Sequence, residues 1–207
     1  RKGEEFSFRR CYSDLIYSTF ADGSRRHACT EAMLREHRGR IDTGTMMNAL
    51  RTHRQENPTW NPGKGLMGAD VCMHAGFGPI RVSQSVGSMV ARLSDAGDTF
   101  WITGSSAPCL SVFFPIWMES GLPAMGKTDN ATYTADSFWW RHERFHRLAL
   151  RDFPKIHAWF SEERQKLEDQ FRIQEMMVRK ESSIIKKDCT VSCFSTIEEL
   201  WERGLEQ

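Results

Sequence analysis

The run His142-Glu143-Arg144-Phe145-His146 matches HExxH. On a helix, two histidines one turn apart can bind zinc while the glutamate serves as base. The surroundings argue against it. Position 149 is Ala and the next histidine is His157, so no third ligand follows at the expected spacing. Arg141, Arg144 and Arg147 also crowd the motif with positive charge, which disfavours a dication. A surface helix whose His and Trp residues border an apolar stripe accounts for the same residues, and no metal is expected.

Cys72-Met73-His74 is the second constellation. On a strand, residues two apart share a side, and a thiolate–imidazolium pair there would be a reactive nucleophile. Catalytic Cys/His partners usually come from distant segments. The plainer reading is a buried cysteine on a core strand, with His74 on the rim of a pocket. The hydroxyl-rich stretches 83–89 and 103–109 suggest a polar pocket lining in which Gln84, Ser85 and Ser88 take part, or else the solvent side of an amphipathic sheet. There is no GxSxG elbow and no phosphate-cradling glycine loop. The six cysteines are scattered, and the near pair Cys189/Cys193 is not CxxC. They read as reduced cytosolic thiols, with no ligand-like spacing for a structural zinc and no cofactor expected.

The elements that must position these groups follow from periodicity. Asp22 or Ser24 can cap a helix over 25–38 with Ala28, Ala32 and Met33 on one face, and Gly39 stops it. Asp42 or Thr43 caps a second helix over 45–53, with Met46, Met47 and Leu50 inward. Residues 57–68, with two prolines and three glycines, form a loop. Residues 82–93 and 99–103 are β-like and joined by the Asp/Gly-rich link 94–98, a hairpin signal. A third run covers 110–118. Three or four mostly antiparallel strands are expected, because the connections are too short for crossover helices. Residues 137–180 are helical with a break or kink at Pro154, carrying the stripe Phe138, Phe145, Ala149, Phe153, Ile156 and Phe160. A last helix is expected over 197–205, capped by Ser195 or Thr196.

The balance of 28 basic and 27 acidic residues gives no reason to expect nucleic acid or a membrane surface as partner. No apolar run reaches about 18 residues, and the first ten residues carry no secretory signal. The chain opens on Arg1, and the expectation is a fragment or processed product. So few strands read as half of a layered sandwich, which would leave an apolar face to associate with the other half or with a second copy.

Several segments together resemble one family. Glu5-Phe6-Ser7-Phe8-Arg9 with Tyr12-Ser13-Asp14 resembles the "FNFR…Y" stretch of bacterial dipeptidase A proteins, and Thr45-Met46-Met47-Asn48-Ala49-Leu50-Arg51 is similar to the "TMMN.LR" helix of secernins. Val71-Cys72-Met73-His74 looks like the family's "CMH" block. The stretch from Gln84 to Val90 looks like "QTTGSMV", with Ser85-Val86 in place of Thr-Thr, and that from Phe100 to Pro108 looks like "WFTGT..P". Phe113-Phe114-Pro115 is similar to "FKP". The blocks keep the family's order from Phe6 to about Phe160.

The resemblance is to the secernin and dipeptidase A family of cysteine-type amide hydrolases. It implies an α+β fold, the C-terminal half of an N-terminal-nucleophile hydrolase αββα sandwich. Residues 1–130 would belong to that domain and 131–207 to a helical extension packed on it. It implies a thiol dipeptidase or amidase, located in the cytoplasm and acting on a peptide or small amide. The nucleophile is a terminal Cys, with its α-amino group as base, in an N-terminal half outside this chain. This chain alone would then be inactive. By position, Gly23-Ser24-Arg25 answers to the family's arginine near that nucleophile, making Arg25, then Arg26, a candidate to lower a thiol pKa or hold a carboxylate. A non-catalytic interaction protein of the same fold is the alternative, and a zinc hydrolase at His142, Glu143 and His146 the lesser one.

Overall fold

The computed structural model describes residues 6–14, 23–53, 60–62, 70–76, 81–126 and 131–207. Helices α1 (Phe8–Tyr12), α2 (Gly23–Glu36) and α3 (Thr43–Arg51) come first. A three-stranded antiparallel sheet follows, in the order β1 (Met89–Arg92), β2 (Thr99–Ile102), β3 (Phe114–Ile116). Helices α4 (Phe138–Ala149), α5 (Phe153–Val178) and α6 (Ser183–Leu205) complete the chain. The fold is therefore mixed α+β with a small antiparallel sheet.

Local chemistry explains most of these boundaries. Asp42 caps α3: its carboxylate accepts from the Thr45 amide at 2.7 Å, and Thr45 answers with a bond from the Asp42 amide, a capping box. The hairpin between β1 and β2 closes where the Ser94 carbonyl accepts from Gly97, whose φ of 112° suits a residue without Cβ. Asp98 accepts from the Ser94 amide at 3.0 Å. α4 and α5 are separate helices, and Pro154 lies in the first turn of α5, where a missing N–H costs nothing. The loop expected at 57–68 lies largely outside the described residues, only 60–62 being placed.

Three expectations are corrected. Residues 71–74 form no strand; they are irregular, tied by Cys72 N to the Thr52 carbonyl and by Ser85 N to the Met73 carbonyl. The last helix begins at Ser183, far before 197. Its first half is poor in helix formers, but Lys186, Thr190, Cys193 and Phe194 are buried along one stripe, and Thr190 Oγ1 donates to the Pro115 carbonyl at 2.9 Å. Packing on β3 overrides weak propensity there. The α2 stripe is not buried: Ala28 and Ala32 are exposed and Met33 only half-buried.

One core joins the sheet to the C-terminal helices. The stripe Phe138, Phe145, Ala149, Phe153, Ile156 and Phe160 is buried throughout and meets Val90, Trp101, Phe113 and Phe114. The register pairs Val90 with Trp101 and Trp101 with Pro115 on one face. Met89, Ile102 and Phe114 share the other. There Phe114 packs edge-on against Phe138 and Phe194, but cover runs out toward β1. Met89 is 61% exposed, where its neighbour Val90 is 5% exposed.

Candidate functional site

The short link after α3 brings His53 to the molecule's interior, residues 72–74 bring Cys72 and His74, and the 3-10 turn Pro108–Leu110 brings Cys109. The four ligand-type atoms lie within 4.8 Å of one another and all four residues are buried. His74 Nε2 is the hub. It lies 3.2 Å from His53 Nε2, 3.5 Å from Cys72 Sγ and 3.3 Å from Cys109 Sγ. Cys72 and Cys109 are 0% and 1% exposed.

The walls are aromatic and cationic. Trp60 lies 4.4 Å from His53, centroid to centroid, and Phe153 meets His53, Trp60 and His74 edge-on. Below the turn, Arg51 donates to the Pro108 carbonyl at 2.9 Å, and the buried Arg164 donates to the carbonyl of Cys109 itself. Glu168 pairs with Arg51 and accepts from the Phe113 amide at 2.8 Å. The turn is entered through Ala107, which has a φ of 55°, a strained value for a residue with a Cβ. Its amide donates to the Ser85 carbonyl at 2.7 Å.

The two thiols are pushed in opposite directions. Burial raises Cys72, but hydrogen bonds from Cys109, His53 and His74 outweigh it and hold the thiol well below its ordinary value. Burial drives Cys109 well above its own, with Cys72 adding to the effect. Burial also lowers His74, offset in part by Cys72, and carries His157 down to about 4, with Arg164 adding to the shift. The two thiols of one buried cluster thus differ in acidity, Cys72 the more acidic. A thiolate with no exposed surface is not an accessible nucleophile, so the arrangement suits holding a soft or borderline cation better than attacking a substrate.

Comparisons with family models, curated proteins and solved structures found no match to this chain.

The candidates from sequence fall in different places. His74 is inside the cluster. Ser85 and Ser88 brace it from the segment leading into β1: Ser85 Oγ accepts from the Met73 amide at 3.1 Å, and the Ser88 amide donates to Thr103 Oγ1 at 3.1 Å. Gln84 is half-buried in the same segment. Arg25 is exposed in the first turn of α2, which packs on α3, and it is not among the cluster residues. A cleft of about 350 Å³ beside α3, lined by His37, Asp42, Asn48, Gln165 and Arg172, contains none of these candidates.

The HExxH residues are core, not surface. His142 and His146 are 0% and 1% exposed. His142 Nε2 lies 2.9 Å from the Leu110 carbonyl, so it carries a proton and offers that carbonyl a donor, not a lone pair to a metal. Glu143 is taken up by His146 and Arg147. His53 and Cys109 were missed as site residues. The one available signal was that both follow or enter short loops beside segments already singled out.

Proposed function

We propose that this chain is the C-terminal portion of a cysteine-type dipeptidase or amide hydrolase of the secernin and dipeptidase A kind, located in the cytoplasm. The reading is carried by one observation: the segments that bear the resemblance are bonded to one another. The "TMMN.LR"-like helix reaches the Pro108 carbonyl through Arg51. The "CMH"-like segment is bonded to Ser85 of the "QTTGSMV"-like block through both the Ser85 amide and its hydroxyl. Ser88 of that block exchanges bonds with Thr103 of the "WFTGT..P"-like block. The half-covered sheet face at Met89 and Ile102 adds support, since a second sheet stacked there would complete an αββα sandwich.

In this reading the nucleophile is the terminal Cys of a preceding segment. Its thiolate attacks the amide carbonyl, the amine leaves with a proton, and water hydrolyses the acyl-enzyme. The present residues supply a pocket wall and helical cover. Among the described residues no helix is long and apolar enough to cross a membrane. The test is dipeptide hydrolysis with and without a thiol-blocking reagent, on the natural mature protein and on the 207 residues alone. Block-sensitive hydrolysis by the mature protein, with none by the 207 residues, is expected. Hydrolysis by the 207 residues alone, or a mature protein opening on a residue other than Cys, contradicts the proposal.

A further inference from the structure

We infer that His53, Cys72, His74 and Cys109 form a closed, structural zinc site. The inference stands independently of the hydrolase reading. Its first support is metrical. Zinc bonds thiolate sulfur at about 2.3 Å and imidazole nitrogen at about 2.0–2.1 Å, so tetrahedral ligands stand about 3.3 Å apart for N to N and about 3.6 Å for N to S. The observed separations are 3.2 Å between the two Nε2 atoms and 3.5 and 3.3 Å from His74 Nε2 to the two sulfurs. Those three separations match edges of a zinc tetrahedron, and all four ligand atoms lie within 4.8 Å of one another.

The second support is the hydrogen-bond inventory. An imidazole nitrogen has either one proton or one lone pair. His74 Nε2 faces three polar atoms at once, so with hydrogen bonds alone it satisfies at most one of them well. A cation at the centre takes one lone pair from each of the four ligands and relieves that conflict. Binding releases one proton from each thiol to solvent. The product, one Zn²⁺ with two thiolates and two neutral imidazoles, has no net charge and can remain in an apolar interior.

The third support is construction. His53 and residues 72–74 lie in irregular backbone, and the 3-10 turn carrying Cys109 is entered through a strained residue, Ala107. Two buried arginines, Arg51 and Arg164, fix that turn by its carbonyls. Four protein ligands with no exposed position leave no place for a reactive water, so the site would be structural. The Cys₂His₂ donor set is one that zinc uses widely, and softer than magnesium or calcium accept.

The experiment is elemental analysis of the purified protein after dialysis into metal-free buffer, with two variants. One zinc per chain is expected in the wild type and in His142→Gln, which lies outside the cluster, and close to none in Cys109→Ser. Should Cys109→Ser fail to fold, wild-type protein refolded with cobalt replaces it as the test. Intense visible bands of tetrahedral thiolate-ligated cobalt are expected, and their absence overturns the inference. No zinc in the wild type, zinc retained by Cys109→Ser, or a Cys72–Cys109 disulfide in the intact protein also overturns it.

Discussion

The Nε2 atoms of His53 and His74 face each other at 3.2 Å inside the core, with two cysteine sulfurs beside them. Two imidazoles rarely point the same nitrogens at one buried spot without a shared proton or a shared cation. The surrounding architecture keeps them there. Trp60 and Phe153 close one side, and the turn 108–110 is held from below by Arg51 and Arg164.

Acid should destabilise the fold well before ordinary carboxylates titrate. Burial holds His142 down at about 4, against 6.5 for a free imidazole. Between those values the unfolded chain binds a proton that the folded chain refuses, so stability falls as pH drops from 6.5 toward 4. The share of His142 in that loss approaches about 3 kcal/mol at about 1.36 kcal/mol per pH unit, and His157, held down to about 4 in the same way, adds to it. Glu143 extends the trend below that range. Burial raises its pKa, but bonds from His146 and Arg147 outweigh the effect and hold it at about 2, against 4.5 unpaired. Thermal unfolding across this range should show the slope, and His142→Gln should flatten its upper part.

Removing Glu168 should be costly. The side chain neutralises the buried Arg51 and accepts from the Phe113 amide. Taking away one partner of such a pair strands the other, at about 3–5 kcal/mol. Urea unfolding of Glu168→Ala should report a loss in that range. A loss below about 1 kcal/mol, ordinary for a surface pair, would show that Arg51 finds compensation elsewhere.

Gly204 is required by the contact of α6 with α4. A Cβ there would lie 2.5 Å from Phe145 Cε2 and 3.2 Å from Trp159 Cζ3, both rings in or against the core. Gly204→Ala gains helix propensity of about 1 kcal/mol but overpacks the core at about 1–3 kcal/mol. A net loss of stability is expected in denaturant unfolding. A net gain would mean the rings move aside freely.

The two faces of β1 should respond oppositely. Val90→Asp places a charge in the closed core and should prevent folding. Met89→Lys changes an exposed position, so stability should hold within about 0.5 kcal/mol, while any association through the open face should weaken. Analytical ultracentrifugation of both the parent and Met89→Lys checks this.

How much the sequence reveals depends on how local the signal is. Asp42, Pro154 and the Asp/Gly hairpin act within a few residues, so caps, helix break and β1–β2 pairing were readable. The first half of α6 was not, because Thr190 and Lys186 are held by β3 and Glu119 and not by propensity. HExxH was readable as a pattern, yet its chemistry depends on the distant Leu110 carbonyl. The cluster was half readable: Cys72 and His74 are neighbours in sequence, but His53 and Cys109 join them only through tertiary folding.

A four-coordinate zinc in that cluster can be seen by X-ray absorption at the zinc edge of the purified protein. Two sulfurs at about 2.3 Å and two nitrogens at about 2.0–2.1 Å are expected around the zinc. A shell of oxygens and nitrogens alone, or no bound zinc to measure, would contradict it.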